Sequence, residues 1–535
     1  MKLSIKNIKS WFRQIRYPLL LTLISISIIY FNYPEGPFPV LAIFALIPWG
    51  FSLKKINAPN GLLIGFIFGF LYFLSQGWSL TIVCNIILNF GSLKSWLFIM
   101  LLCAVHAIPY TIFGFIYGIF NKFSLPTGPL RSALLLTILQ IWLMGVFPGT
   151  PAHMLYSYPI FLQILDIGGP PLLLFAFNLV NWLIIEIIYR IKEHKSPKSI
   201  IATCLCILIL IVGYGKIRID YFHEKAKLAA PEQIINIASI QPNIPVKHWG
   251  NSYFVEKEDA NNDLSTVIKL TKEAYKTYPN LELIAWPELP LHLPCDKETK
   301  KQEMVRKVTK DIKSPLSIVC EQDISTKEQP KYYNTAIYID KSGIYKEKYH
   351  KQVLVPFWEY LPYEKKLPFL RKIFKYTRYY QSDDKIKLFE ISKDKRIIPS
   401  ICYEIIFSEQ IRKFAKIGGN IILNMSDDAW FGRSTISAIH LSLGIFRAIE
   451  YRMPFIRVTN SGNGCFVQPT GEIVENSLTP LFEKKISSFP LYIPNEQSIY
   501  LQTGNTFLWI LTVIFLMDFV FLITIYLKNH LNFKK

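Results

Sequence analysis

The sequence predicts two architectures in one chain: a polytopic α-helical membrane domain of about eight transmembrane helices, and a globular α/β domain carried between the seventh and the eighth. Three observations lead there. Of 535 residues, 51% are hydrophobic and 15% aromatic, yet the formal net charge is +20. Apolar spans flanked by basic anchors reconcile these facts. In the N-terminal part Lys and Arg cluster at the ends of apolar runs, with neither zinc-ligand spacing nor a continuous basic helix, which argues against nucleic acid as the reason for the charge. From about Lys216 to Ser498 the runs shorten and alternate, as strands and helices of a globular domain do. The expected domains are therefore 1–220 (seven membrane helices), 221–500 (the α/β domain) and 501–535 (the last helix and tail).

Eight runs approach the ~20 apolar residues that cross a bilayer. They are about Tyr17–Tyr33, Pro37–Leu53, Gly61–Trp78, Trp96–Phe120, Leu130–Phe147, Phe161–Tyr189, Ile200–Gly215 and Gly504–Leu527. Ser79–Phe90 is apolar but too short to count. The first run follows a basic, acid-free stretch and no small-x-small cleavage site succeeds it, so a signal anchor is expected. Basic residues recur at Lys54-Lys55, at Lys122 and Arg131, at Arg190–Lys195 and at Lys528–Lys535, whereas the intervening loops carry few. By the positive-inside rule both termini are cytoplasmic and the α/β domain lies beyond the membrane.

In that domain, strands are expected at Ile234–Ile240, Leu283–Trp286, Leu316–Val319, Asn334–Ile339, Ile397–Cys402, Asn420–Met425 and Phe455–Thr459. Helices are expected at Asp259–Tyr278, Lys297–Ile312 and Ala438–Arg452. Hairpin-like turns at Asp340–Gly343 and Gln468–Gly471 imply a mixed sheet.

Chemistry-bearing residues fall at strand ends. In Arg396–Phe407 an apolar strand stops at Cys402; a thiol at such a corner is either a nucleophile or an inert core residue. Glu288 follows a strand and lies between Pro287 and Pro290, which restrict the backbone; alone it reads first as a surface residue at a rigid turn. Lys351 and Glu359 flank the apolar run Gln352–Trp358, where a lone Lys would ordinarily snorkel. Asn424–Gly432, with Trp430, is a polar loop after a buried strand and alone reads as an Asx turn. Together, a carboxylate, an ammonium and a thiol have a joint logic. The carboxylate takes the thiol proton, and the cation favours the thiolate and steadies the oxyanion made when it attacks a carbonyl.

These residues carry a resemblance. Trp286-Pro-Glu288, Lys351 and Ser400-Ile-Cys402-Tyr-Glu404 resemble the three sites of the nitrilase, or carbon–nitrogen hydrolase, superfamily, which implies an αββα sandwich and a Glu-Lys-Cys triad. With apolar spans on both sides, the chain resembles the apolipoprotein N-acyltransferase family. Gln241–Pro245 with Trp249, Val355–Tyr360, Asp428–Gly432, Arg447–Glu450, Arg457–Asn460, Gly168-Gly169 and Asn181 match that family in order; Pro242, Trp358 and Gly149 depart from it. The resemblance implies that Cys402 takes an acyl group from a phospholipid and passes it to a diacylglyceryl-cysteine at the N-terminus of an apolipoprotein. It further implies Glu288 as general base, Lys351 as oxyanion stabiliser and Glu359 as its orienting partner. Tyr403, Glu404 and Trp430 would shape the site, and Trp249 would face substrate. The implied location is the bacterial inner membrane with the catalytic domain periplasmic; a monomer without cofactor or metal is expected. The rivals are a membrane-tethered amide or nitrile hydrolase and a non-catalytic transporter or scaffold.

The arm Phe357–Tyr380 mixes aromatic and aliphatic residues with Lys365, Lys366, Arg371, Lys372, Lys375 and Arg378. It reads as an interfacial segment or as a soluble helix over the sheet. Cys295, Cys320 and Cys465 share the external domain with Cys402, and a disulfide is permitted there without the pair being specified. Cys84, Cys103, Cys204 and Cys206 lie in apolar runs as packing residues.

Overall fold

A computed structural model describes residues 5–34, 36, 38–245, 257–288, 293, 295, 299–327 and 329–532. The chain partitions into two units, one of residues 1–78, 97–217 and 502–535, the other of residues 79–96 and 218–501.

The first unit is helical. Five helices are long and apolar enough to cross a membrane: Trp11–Asn32, Ala58–Gly77, Leu165–Lys192, Lys198–Lys227 and Thr506–Thr524. Gly91–His106 and Ile108–Lys122 make a sixth if their 43° bend is counted within one span; Pro109, lacking an N–H, sits at the break. Two of the eight expected spans are shorter than expected. The run Leu130–Phe147 contributes only the helix Pro129–Trp142. Pro37–Leu53 folds as a 3₁₀ turn, Pro39–Phe44, and a seven-residue helix, Leu46–Ser52. Prolines 39 and 48 remove the donors that one continuous helical ladder would need. Helices Ala58–Gly77 and Ile108–Lys122 meet through glycines: a Cβ on Gly61 would lie 2.1 Å from the Gly114 carbonyl oxygen, and one on Gly65 2.1 Å from that of Tyr110. Only bare backbone allows this approach, the small-xxx-small packing of apolar helices.

The second unit is an α/β sandwich. Its strands are β1 (Ile234–Ile235), β2 (Ile237–Gln241), β3 (Leu283–Ala285), β4 (Leu316–Asp323), β5 (Tyr332–Ile339), β6 (Tyr345–His350), β7 (Phe389–Glu390), β8 (Arg396–Ile401), β9 (Ile421–Ser426), β10 (Phe455–Thr459), β11 (Cys465–Val467), β12 (Lys485–Ser488) and β13 (Leu491–Tyr492). One mixed sheet runs β12-β2-β3-β4-β5-β6 and the other β11-β10-β9-β8-β7, with β1 and β13 as a separate pair. The period of two decides which residue faces what. Ala238, Ile240, Ile284, Leu316 and Ile318 pack with Leu264, Val267, Val305 and Val308 of the helices Lys257–Thr277 and Lys300–Ile312. The intervening side chains face the other sheet: Ser317 donates to Met425 Sδ at 3.3 Å, and Thr459 to Gln241 Oε1 at 2.9 Å. Helices Ser408–Lys416 and Ile436–Tyr451 bury apolar residues on the second sheet, completing the αββα order.

Two features of this unit differ from expectation. The apolar run Ser79–Phe90 belongs here: its helix Leu80–Ile86 packs on the turn Ala429–Phe431, and Phe90 lies 5.2 Å from the ring of Phe374. The arm 357–380 is a chain of turns around a four-residue helix, Leu370–Ile373, and neither a long helix nor a strand.

Candidate active site

Glu288, Lys351 and Cys402 each stand where a strand gives out. Glu288 follows β3 by three residues. Trp286 anchors that turn, its indole N–H donating to Thr271 Oγ1 at 2.8 Å and its amide to the Ser317 carbonyl at 2.9 Å. Lys351 is the first residue after β6. Cys402 follows β8 and takes φ +51°, a left-handed conformation costly for a residue with a Cβ, as it opens the 3₁₀ turn Cys402–Ile406. Pro399 is tolerated in β8 because β7 pairs only with Arg396 and Ile397, so no second ladder runs beside the proline.

Asn334 ties two of these corners together. Its Nδ2 donates to Glu288 Oε1 at 2.7 Å, and its carbonyl accepts the Lys351 amide at 2.8 Å. The Lys351 ammonium donates to Glu359 Oε1 at 2.7 Å, with both side chains buried; Glu359 Oε2 accepts the Val355 amide at 2.8 Å. The Glu288 carboxylate and the Cys402 thiol lie near enough to act on each other electrostatically. Cys402 keeps part of its surface open while protein atoms enclose the thiol.

Glu404 fastens the elbow. Its Oε1 accepts from the Tyr349 hydroxyl (2.6 Å) and the amides of Gln352 (2.6 Å) and Val353 (3.1 Å), and its Oε2 accepts the Ile401 amide at 2.8 Å. One buried carboxylate thus binds the backbone just before Cys402 and just after Lys351. The Cys402 carbonyl accepts from Asn424 Nδ2 at 3.1 Å and lies 3.2 Å from His440 Nε2. Arg457, fully buried in β10, reaches Asn424, His440 and Asp428, and Asp428 also accepts from Ser426 and Ser437. The Arg457 guanidinium and neighbouring donors hold the Asp428 carboxyl far below the usual range despite its burial.

The electrostatics define a neutral thiol at rest. Burial, then the Glu288 carboxylate, push Cys402 well above the ordinary thiol range; Lys351 only partly offsets them. Lys351 favours the thiolate, as expected, but desolvation outweighs it. Burial also raises Glu288, against the opposing pull of Lys351 and the Asn334 hydrogen bond. Burial would lower Lys351, but Glu359 and Glu288 carry it above its ordinary value, so it stays charged.

Tyr403 is buried, edge-on to Phe407 at 5.0 Å. Trp430 meets Trp358 edge-to-face at 5.6 Å, joining two motifs far apart in the chain. Trp249 lies outside the described residues. Among the described residues, no group of three His, Cys, Asp or Glu side chains is placed to hold a metal ion. Cys295 and Cys320 form a disulfide between the segment after Glu288 and β4, and Cys465 is free and buried. Sequence reasoning gave no role to Asn334, Ser426 or His440. A polar residue in a strand expected to be buried was the available signal for Asn334 alone.

The sequence pattern of carbon–nitrogen hydrolases matches residues 236–509, and the chain belongs to that family. A second pattern, that of the apolipoprotein N-acyltransferase N-terminal domain, matches residues 27–183 and narrows the membership to the apolipoprotein N-acyltransferases. Similar proteins of that name include one from Treponema denticola, 25% identical over 94% of this chain and 96% of its own length. Another, from Wigglesworthia glossinidia brevipalpis, is 27% identical over 96% and 98%. The Haemophilus influenzae protein is 28% identical over 71% of each. Among solved structures, an amidase of the nitrilase superfamily from Nesterenkonia shares 17% identity over 52% of this chain and 98% of its own, with a TM-score of 0.37. The chain is an acyltransferase and a membrane protein.

Proposed function

We propose that Cys402 carries the acyl group of the N-acylation reaction as a thioester, with Glu288 as base and Lys351 as oxyanion partner. Glu288 takes the thiol proton as sulfur adds to an ester carbonyl of a phospholipid. The Lys351 ammonium and the Tyr403 N–H stabilise the oxyanion. Collapse breaks the ester C–O bond, and the lysophospholipid leaves with the proton from Glu288. The α-amino group of a diacylglyceryl-cysteine then attacks the thioester. Glu288 accepts the amine proton and returns it to the departing sulfur. One groove serves both lipids in turn.

The observation that carries this reading is the enclosure of one thiol, one carboxylate and one ammonium within reach of one another, each braced by buried partners. A thiol that is neutral at rest needs such a base at the moment of attack. Glu359 orients Lys351, Glu404 and Tyr403 shape the elbow, Trp430 lines the approach, and Trp249 contacts substrate. The enzyme works as a monomer in the bacterial inner membrane. Its termini are cytoplasmic and residues 221–500 are periplasmic, between membrane segments 1–220 and 501–535. Residues 357–380 admit the lipid at the bilayer face.

Intact-mass analysis of purified enzyme incubated with phospholipid tests the chemistry. An acyl adduct is expected in the wild type and absent in Cys402→Ala. No adduct at saturating lipid, with turnover of a soluble amide instead, would reassign the chain to the hydrolases. Unchanged acyl transfer in Phe369→Ser/Leu370→Ser would remove the arm from the lipid's path.

A further inference from the structure

The loop that carries Lys351 and Glu359 towards Cys402 has a second side. The next residues along the chain, Gln352 and Tyr360, line an open cleft of about 690 Å³. Gln352 and Val353, both on the cleft, donate their amides to Glu404, two residues after Cys402, at 2.6 and 3.1 Å, so cleft and nucleophile are close. Four cationic side chains, Lys365, Lys366, Arg371 and Arg378, line the cleft with one carboxylate, Glu364. Arg371 is fixed: it grips Glu364 with two bonds of 2.7 Å, donates to the Thr377 carbonyl at 2.6 Å and lies 4.1 Å over the Tyr379 ring. Arg378 donates to the Tyr380 hydroxyl at 2.7 Å and stands 3.7 Å from Glu321. The side chains of Lys365 and Lys366 are exposed and have no carboxylate partner among the described residues. They are the cations left to bind something else.

Large apolar side chains stand beside them in the open: Tyr363 is 71% exposed, Phe369 55% and Ile373 52%. Free ammonium groups next to exposed aromatic and aliphatic residues suit the boundary where lipid phosphates meet acyl chains. A soluble anion would need the lysines and have no use for the apolar rim. Of the two lipids in the reaction, only the donor bears a phosphate, separated from its ester carbonyls by a few bonds.

We propose that this cleft is the head-group seat of the acyl donor, with Lys365 and Lys366 binding the phosphate and Tyr363 and Phe369 reaching into the acyl layer. The assignment rests on the reading that a phospholipid is the donor. With phosphate held on one side of the Lys351–Glu359 loop, the glycerol ester reaches over Tyr360 to Cys402. The cleft then selects phosphate-bearing esters over neutral glycerides.

The experiment compares wild type with Lys365→Glu/Lys366→Glu, neither residue belonging to the catalytic machinery. Acyl-enzyme formation is followed by intact mass with dioleoyl phosphatidylethanolamine and with dioleoylglycerol in the same detergent micelles. A soluble p-nitrophenyl ester, which also reports that the variant is folded, is the third donor. The wild type is expected to prefer the phospholipid; the reversal should weaken its use about tenfold or more and leave the other two donors alone. Should the variant fail to fold, Lys365→Gln/Lys366→Gln takes its place. An unchanged preference for phospholipid would overturn the proposal, as would an equal loss with both lipids, which marks general membrane attraction. Inorganic phosphate binding to the wild type by calorimetry, with phospholipid use indifferent to the reversal, would make the cleft a soluble-anion site and overturn it too. Absence of any adduct from phospholipid in the wild type would instead defeat the donor reading beneath it.

Discussion

Lys351 and Glu359 form a buried ion pair of 2.7 Å, so the cation at the site is held by a residue eight positions further along its own loop. Removing one member of such a pair leaves a charge in a poor solvent, typically at a cost of about 3–5 kcal/mol. Glu288 partly compensates here, so Glu359→Gln should cost about 2–3 kcal/mol and slow acyl-enzyme formation by about 10²-fold or more. Lys351 is raised in the folded state, so its stabilisation is fully present below the unfolded Lys value and is lost only as pH rises through the still higher folded one. The melting deficit of Glu359→Gln should therefore stay flat between about pH 6 and 9. A deficit that varied steeply across that range would contradict the assignment.

Glu288 has the opposite sign. Its folded carboxyl is raised above the ordinary value, mainly by burial, so ionised Glu288 costs stability at neutral pH, and the cost disappears as pH falls towards the unfolded value. Glu288→Gln should therefore melt above the wild type near pH 8 and converge with it near pH 4. It should lose acyl-enzyme formation by about 10³-fold. In the wild type, the acid limb of acylation should lie above the usual Glu range. Paired melting curves and a pH–rate profile check both statements; a Gln variant less stable at pH 8 would refute the first.

The disulfide Cys295–Cys320 closes a loop spanning 25 positions and pins the segment after Glu288 to β4, where Cys295 and Glu321 also share a backbone hydrogen bond of 2.9 Å. Cys295→Ser/Cys320→Ser should destabilise residues 218–501 by about 3 kcal/mol. The acylation rate should fall more than thermal stability alone explains, because the turn bearing Glu288 is loosened. Reduction of the wild type should reproduce both effects, and an inert pair of serines would show that the bridge is incidental.

The helix pair Ala58–Gly77 and Ile108–Lys122 leaves no room for a side chain at Gly61 or Gly114, each a bare-backbone contact for the other. Gly61→Val and Gly114→Val should each lower the yield of folded protein in detergent, and together no more than either alone, since both separate the same helices. Additive losses in a fluorescence-detected sizing assay would argue against a shared contact.

The strand ends bearing Glu288 and Cys402 were legible because each combines an apolar run with an abrupt polar residue, a local pattern; Lys351 stood out only by the apolar run after it, since its strand β6, Tyr345-Lys-Glu-Lys-Tyr-His350, is polar and was not expected. Their braces were not legible. Asn334 meets Glu288 across 46 positions, and His440 meets the Cys402 carbonyl across 38; such pairings exist only once strands are laid side by side. Ser79–Phe90 shows a different limit. Hydropathy measures how apolar a run is, and an aliphatic helix packed on the turn at Trp430 is as apolar as one facing lipid. The run Pro37–Leu53 shows a third, because its composition suits a span while its prolines deny it a continuous helix.

The placement of residues 79–96 bears on how the protein is made. The catalytic unit is discontinuous in the chain: its first piece is synthesised well before the stretch from Arg218 onward, with membrane helices in between. Helix Leu80–Ile86 must wait, unfinished, for the turn Ala429–Phe431 that it will lie against. A fragment beginning at Arg218 would leave that turn bare, so the smallest piece able to complete this unit is close to the whole polypeptide.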